Sequence, residues 1–130
     1  MRTAITMAIA LLSATAAQAQ SVTTFTRYAA SGQPLKLGFS YSTNPDCSSV
    51  GLPTIRLSTP AHGRVTVTRT TDFPNFPPTN IRSECNRRRV PGTTVHYVSQ
   101  RGFTGTDYVQ EEIIFASGAL REQVFNIIVR

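Results

Sequence analysis

The stretch VHYVSQRGFTGTDYV (residues 95–109) contains the pattern that decides the fold. Val95 and Tyr97 occupy alternate positions, which is the two-residue period of a β-strand with one buried face. The glycines of RGFTG (101–105) then supply a turn. The next segment, 107–117, is ambiguous, because its acidic centre would tolerate a helix while its β-branched and aromatic neighbours favour a strand.

The same alternation recurs along the chain, whereas helical periodicity is nearly absent. Clusters of glycine, proline, asparagine and aspartate separate the alternating runs and predict turns. About seven short strands in about 110 residues predict a single all-β domain, an antiparallel sandwich that fills residues 20–130. The predicted strands lie at 22–29, 34–42, 54–58, 64–70, 93–99, 107–117 and 122–130.

Residues 1–19 have the composition of a secretory signal peptide. Arg2 is followed by an uncharged run whose apolar part, residues 5–12, is too short to span a bilayer. The run ends in the small-residue pattern AQA, which predicts cleavage after Ala19. A membrane anchor is the alternative interpretation. Cleavage would release the domain at 20–130 into the periplasm or the extracellular space.

Two cysteines, Cys47 and Cys85, follow the predicted signal peptide. In an oxidising compartment an even number of cysteines predicts a disulfide. The alternatives are two free thiols or a metal pair. Two thiolates cannot fill a tetrahedral zinc site, and His62 and His96 show no ligand spacing relative to them. We therefore expect one disulfide, no metal site and no cofactor.

The chain is basic, with 13 lysine and arginine residues against seven aspartate and glutamate residues. Twelve of these cations are arginines, a bias that a GC-rich genome also produces. Net positive charge attracts anionic partners in general. Because the protein is predicted to leave the cytoplasm, we expect no nucleic-acid partner.

The C-terminal part of the chain, residues 54–130, resembles the immunoglobulin-like and cadherin-like domains of exported bacterial proteins. Their pattern runs P-x-x-G-x-V, then Y-x-P-x-x-x-F-x-G-x-D before an alternating strand, then a final apolar strand. The resemblance implies an immunoglobulin-like sandwich and says little about function. The matching residues are Pro60, His62, Gly63, Val65, Tyr97, Gly102, Phe103, Gly105 and Asp107.

The resemblance assigns structural roles to two of these residues. Phe103 is expected to plug one end of the sandwich, and Asp107 to accept backbone N–H bonds in the same corner. Two positions depart from the pattern. Ser99 stands where the family often has a proline. Glu111 falls at a position of its strand where the alternating pattern expects an apolar residue, so that either a bulge shifts the register or Glu111 lies near a rim of the sandwich. The acidic motifs of calcium-binding cadherin repeats do not occur, and no calcium site is expected.

Residues 71–92 contain no convincing strand, and DFPNFPPTN (72–80) holds three prolines, which a central strand cannot accept. A connection of this length is usually functional or disordered. Arginine and aromatic side chains anchor interfaces, and a disulfide would reduce the cost of ordering the loop. The alternative is a charged, solvated loop. The candidate binding residues are Arg82, Arg87, Arg88, Arg89, Phe73 and Phe76.

No catalytic constellation is recognisable in the sequence. The serines lack the G-x-S-x-G pattern, and the adjacent Glu111 and Glu112 point to opposite faces of a strand. We expect a non-enzymatic exported module that binds a protein partner in the periplasm or at the cell surface, as an accessory or structural subunit. The alternative partner is an anionic polymer or polysaccharide of the envelope.

A third alternative is self-assembly, in which SVTTFTRYAA (21–30) is donated to an open sheet edge of a neighbouring molecule. The preferred interpretation of this segment is the first strand of its own domain, because sequential strands usually pair locally.

Overall fold

The computed structural model describes residues 21–130, so the predicted signal peptide at 1–19 lies outside the described residues. Seven strands and one short 3-10 helix form, and the ambiguous segment at 107–117 is a strand as far as Ile114, with a turn after it. Among residues 21–130, no helix has the length and apolar character needed to cross a membrane. The strands are β1 (Thr23–Ala29), β2 (Leu35–Tyr41), β3 (Thr54–Leu57), β4 (Gly63–Asp72), β5 (Val90–Ser99), β6 (Gly105–Ile114) and β7 (Leu120–Val129), and the 3-10 helix is Ser83–Arg87.

The strands form two sheets, with the order β1-β7-β6-β3 in the first sheet and β2-β5-β4 in the second. The predicted all-β sandwich with seven strands and one disulfide is confirmed. Neighbouring strands are antiparallel, as predicted, with the exception of β1 and β7, which pair in parallel. The alternation of apolar and polar residues identifies a strand but not the direction of the strand beside it. Antiparallel neighbours can be joined by a tight turn, which the sequence reveals, whereas parallel neighbours cannot.

The core lies between the two sheets and is built from alternate strand positions. Phe25 of β1 stacks on Phe125 of β7, with ring centroids 5.7 Å apart. Each fully buried aliphatic or aromatic side chain in such a core stabilises the fold by about 1.5–3 kcal/mol. The main buried cluster comprises Ala29, Leu37, Val95, Tyr97, Val109, Phe125, Ile127 and Val129.

Glu111 occupies an inward position of β6 between Val109 and Ile113, and it is only 3% exposed. Of the two alternatives predicted for Glu111, the bulge does not form, because β6 pairs with β3 and β7 in continuous register. The rim position is compatible with the groove that Glu111 lines together with Arg56 and Gln123. The amide of Gln123, on the neighbouring strand, donates a hydrogen bond to its carboxylate. The core tolerates this buried carboxyl group because the Gln123 amide supplies a hydrogen bond to it.

A buried aspartate joins the two sheets at one end of the sandwich. The carboxylate of Asp107 accepts the backbone N–H groups of Ala61 and His62, each at 3.0 Å, and the hydroxyl of Tyr97 at 2.8 Å. The predicted role of Asp107 as a backbone acceptor is confirmed. Phe103 is half-buried against the core and stacks on the His62 ring, with centroids 4.2 Å apart, as expected for a residue that closes this end.

Candidate binding surface

The two sheets differ in charge. The strands of the second sheet and the connection between β4 and β5 carry seven cationic side chains and two carboxylates, whereas the strands of the first sheet carry three cationic side chains and four carboxylates. Because two of those four, Asp107 and Glu111, are buried, the first sheet presents little net charge to solvent. The positive charge of the protein is therefore concentrated on the second sheet and its long connection.

The connection between β4 and β5, residues 73–89, is here called the β4–β5 segment. A disulfide from Cys85, which is fully buried, to Cys47 ties this segment to the loop that follows β2. Arg82 reinforces the link, because its Nε donates to the backbone carbonyl of Thr43 at 2.7 Å. These contacts hold an otherwise irregular segment in a defined position.

Phe76 and Asn86 hold the segment together from within. The backbone N–H of Phe76 donates to Oδ1 of Asn86 at 2.8 Å, and Nδ2 of Asn86 donates to the carbonyl of Phe76 at 2.9 Å. The Phe76 ring meets the ring of Tyr41 edge-on, with centroids 5.2 Å apart. The hydroxyl of Tyr41 in turn accepts the backbone N–H of Asn75 at 2.7 Å. The segment therefore packs onto the end of β2.

The six candidate binding residues separate into two groups. Arg82 and Phe76 are half-buried and make the contacts described above, so each contributes to the position of the segment. The other four, Arg87, Arg88, Arg89 and Phe73, are exposed. Sequence reasoning could not separate Phe73 from Phe76, because both lie in the same proline-rich stretch and only the packing against Tyr41 distinguishes them.

The three consecutive arginines have different surroundings. Arg87 forms an ion pair with Glu84 at 3.5 Å, in which both side chains are more than three-quarters exposed. The guanidinium of Arg89 lies 5.0 Å from the centroid of the Phe73 ring and donates to the carbonyl of Thr71 at 3.1 Å. Arg89 and Phe73 thus form an exposed pair of the residue types that anchor interfaces.

A groove of about 360 Å³ continues from Arg89 across the outer face of the second sheet. Inside this groove the ammonium group of Lys36 donates a hydrogen bond to Asp72. This bond is the main cause that holds the pKa of Asp72 below its ordinary value, and the Phe73 N–H and the nearby Arg89 act in the same direction. His96 and the threonines of β4 and β5 complete the lining. Sequence analysis did not select these residues, although the alternating threonines of RVTVTRT (64–70) already placed several of them on one face.

Among residues 21–130, no three histidine, cysteine, aspartate or glutamate side chains lie close enough to hold a metal ion together. Elsewhere in the domain, burial raises the pKa of Glu111, while Gln123 and Arg121 act in the opposite direction. Glu111 lies inside the sandwich, so its perturbation concerns stability.

We expect Glu111→Gln to raise the free energy of unfolding at pH 7.5 and to leave it nearly unchanged at pH 4. Burial raises the pKa of Glu111 in the folded protein above its ordinary value of 4.5. Between the pKa of the unfolded chain and that of the folded protein, the folded protein therefore retains a proton that the unfolded chain has lost. The free energy of unfolding falls as the pH rises through this interval. Glutamine keeps an acceptor for Gln123 and removes this loss.

Urea unfolding followed by circular dichroism at the two pH values measures the effect of Glu111→Gln. Glu84→Gln is the control, because the Glu84 side chain is more than three-quarters exposed and lies outside both sheets. A gain of the same size in both variants would show that burial of Glu111 is not the cause.

No protein-family model, curated protein or solved structure matches the chain. The functional conclusion therefore depends on the described geometry and on the residues of the sequence.

Proposed function

We propose that the protein is a non-enzymatic exported module, of the immunoglobulin-like and cadherin-like class, that binds an acidic surface of a protein partner. It would serve as an accessory or structural subunit of an assembly in the periplasm or at the cell surface. The observation that carries this proposal is the separation of charge between the sheets, with seven cationic side chains and two carboxylates on the second sheet and its connection. Such a face attracts and orients an acidic partner.

Two further observations support a protein partner. Arg89 and Phe73 are exposed and stacked, and arginine and aromatic residues dominate the binding energy of protein interfaces. The disulfide and the bond from Arg82 to Thr43 order the β4–β5 segment before binding, which reduces the entropy lost on association.

The assignment to the exported class draws on separate features. The first 19 residues have the signal-peptide composition, and a disulfide is typical of oxidising compartments. The strand order, in which the first strand joins the sheet of the last, and the corner at Asp107 are compatible with the immunoglobulin-like pattern.

The combined substitution of Arg87, Arg88 and Arg89 by alanine is expected to weaken partner binding and to leave stability nearly unchanged. Exposed arginines contribute within about 0.5 kcal/mol each to folding. The partner would be captured with wild-type protein from the native cell envelope, and its affinity for each variant then measured as a function of salt. The triple variant should bind more weakly and with a shallower salt dependence.

A matched control removes the same charge elsewhere. Arg56, Arg101 and Arg130 are exposed and lie outside the second sheet and the β4–β5 segment. Their combined replacement by alanine should preserve binding. Equal loss in both triple variants would mean that only net charge matters, and wild-type binding by the first triple variant would contradict the proposed surface.

An anionic envelope polymer is the alternative partner, favoured by the cationic and threonine-rich groove beside Arg89. Binding to a polyanion through exposed cations should decrease steeply with ionic strength, whereas an interface that includes Phe73 should retain much of its affinity at high salt.

Self-assembly by strand donation has less support. Residues 23–29 pair along their whole length with β7 of the same chain, and Ala29 is buried in the core. Size-exclusion chromatography of the intact domain and of a variant without residues 20–30 tests self-assembly. If the strand is donated, the intact domain should elute as an oligomer and the shortened variant should not.

A further inference from the structure

We propose that a cleft at the free edge of β2 binds a saccharide ring that carries a carboxylate. This cleft, called here the aromatic cleft, has a volume of about 350 Å³, which lies within the range of small-ligand sites. It is formed where three separate parts of the chain meet: the end of β2, the β4–β5 segment and the hairpin between β6 and β7. The proposal does not depend on the protein partner proposed above. The residues that carry it are Phe39, Tyr41, Phe76, Phe115, Asn80 and Arg121.

The walls of the aromatic cleft are aromatic rings that touch one another. Phe39 and Tyr41 have ring centroids 5.2 Å apart, and Phe76 meets Tyr41 at the same distance. Phe115 lines the cleft from the opposite side, on the hairpin. The face of an aromatic ring carries a partial negative charge that attracts polarised C–H groups, such as those on the apolar face of a sugar ring.

A single cation stands at the aromatic cleft. The guanidinium of Arg121 lies 5.1 Å from the centroid of the Phe115 ring, and within residues 21–130 it forms no ion pair. Arg121 does act electrostatically on Glu111, but that carboxyl group is buried and already accepts a bond from Gln123. Arg121 is therefore free to pair with an incoming carboxylate, and a planar guanidinium can do so through two parallel hydrogen bonds.

Polar groups beside the rings suit a ligand with many hydroxyl groups. The side-chain amides of Asn75 and Asn80 line the cleft, and within the described residues neither side-chain nitrogen donates a hydrogen bond. Within the described strands β2 pairs with β5 alone, so the backbone N–H and C=O groups of β2 that point away from β5 are also available at this edge. Amides and backbone groups both donate and accept, as hydroxyl groups require.

The aromatic cleft is preformed rather than dependent on a mobile loop. Phe76 is fixed by its two bonds to Asn86, and Tyr41 by the N–H of Asn75. The disulfide at Cys85 fixes the same segment to the loop after β2. A cleft of about 350 Å³ lined by rings from three segments favours a short ring-shaped ligand over an extended peptide, which would need a groove along several residues.

The test compares two disaccharides that differ only by a carboxylate: cellobiouronic acid and the neutral cellobiose. Each is titrated to roughly 10 mM into isotope-labelled protein, and amide shifts are followed by NMR. We expect shifts at residues 39–41, 75–80 and 115–121, and about tenfold tighter binding of the acidic disaccharide, since one charge-assisted contact is worth about that factor.

Three variants assign the effect to the cleft. Arg121→Gln should abolish the preference for the acidic disaccharide while the neutral one binds as before. Phe115→Leu should weaken both at least several-fold, because it removes the aromatic face. Arg130→Gln is the matched control, since Arg130 also lies over an aromatic ring, Tyr28 at 4.8 Å, but beyond the opposite end of β7 from Arg121, and it should change neither affinity.

Several results would overturn the proposal. They are no shift with either disaccharide, equal affinity of wild-type protein for both, or shifts confined to other parts of the domain. Binding of the acidic peptide acetyl-EEYEE-amide in the cleft, with neither disaccharide bound, would reassign the cleft to protein ligands. The alanine triple variant of Arg87, Arg88 and Arg89 should keep disaccharide binding, so a failure of the partner surface and a failure of the aromatic cleft can be told apart.

Discussion

Replacing Asp107 with alanine is expected to lower the free energy of unfolding by about 3–4 kcal/mol. The substitution leaves four donors without their acceptor: the backbone N–H groups of Ala61, His62 and Tyr108, and the hydroxyl of Tyr97. Tyr97 has no exposed surface, so its hydroxyl cannot turn to water, and an unsatisfied buried donor costs about 1–3 kcal/mol. Urea unfolding monitored by tyrosine fluorescence and circular dichroism measures the loss.

Tyr97→Phe provides the comparison for this prediction. Burial and the bond to Asp107 raise the pKa of Tyr97 above its ordinary value of 10.0, so the hydroxyl stays protonated and donates at every physiological pH. Removing the hydroxyl deletes one hydrogen bond and leaves Asp107 with its backbone donors, which should cost about 1 kcal/mol. If Asp107→Ala were no more damaging than Tyr97→Phe, the backbone bonds at this corner would not stabilise the fold.

The second large effect is expected from the disulfide. Replacing both Cys47 and Cys85 with alanine should lower the free energy of unfolding by about 3–4 kcal/mol, because the bond closes a loop with a sequence separation of 38 and restricts the unfolded chain. The β4–β5 segment would also lose its main attachment, so the double variant should bind the protein partner less tightly than its remaining folded fraction predicts. Chemical denaturation and partner affinity are measured together.

Reduction gives the control for the cysteine substitution. Wild-type protein in excess dithiothreitol should unfold at about the same denaturant concentration as the double alanine variant, and dithiothreitol should not change that variant. Mass spectrometry of non-reduced, denatured wild-type protein should detect no free thiol. Two free thiols, or an unfolding midpoint that reduction does not shift, would contradict a stabilising disulfide.

The strands could be predicted from the sequence because their signal is local. Alternation such as that of Val95 and Tyr97 depends on neighbours in the chain, and each predicted strand has a counterpart in the structure. The disulfide was predictable from the count of cysteines and the expected compartment. The role of Asp107 as a backbone acceptor was anticipated because the sequence places it two residues after the turn at 101–105, where the chain enters β6.

Features that depend on distant parts of the chain could not be predicted. Glu111 breaks the apolar line of β6, and only the position of Gln123 on β7 explains how it is accommodated. The exposed Phe73 and the packed Phe76 look equivalent in the sequence. The aromatic cleft joins Tyr41, Phe76 and Phe115 from three remote segments, and no spacing rule connects them.

The parallel pairing of β1 with β7 has a consequence for the order of folding. Thr23 lies opposite Gln123, so the first strand waits for a partner about 100 residues later in the chain, and loops of that length close slowly. During vectorial synthesis or translocation β1 therefore stays unpaired until the last strand has emerged, while β4 can already pair with β5. Phe25, with no Phe125 to stack on, is exposed throughout this interval, which makes β1 the segment most available to a chaperone.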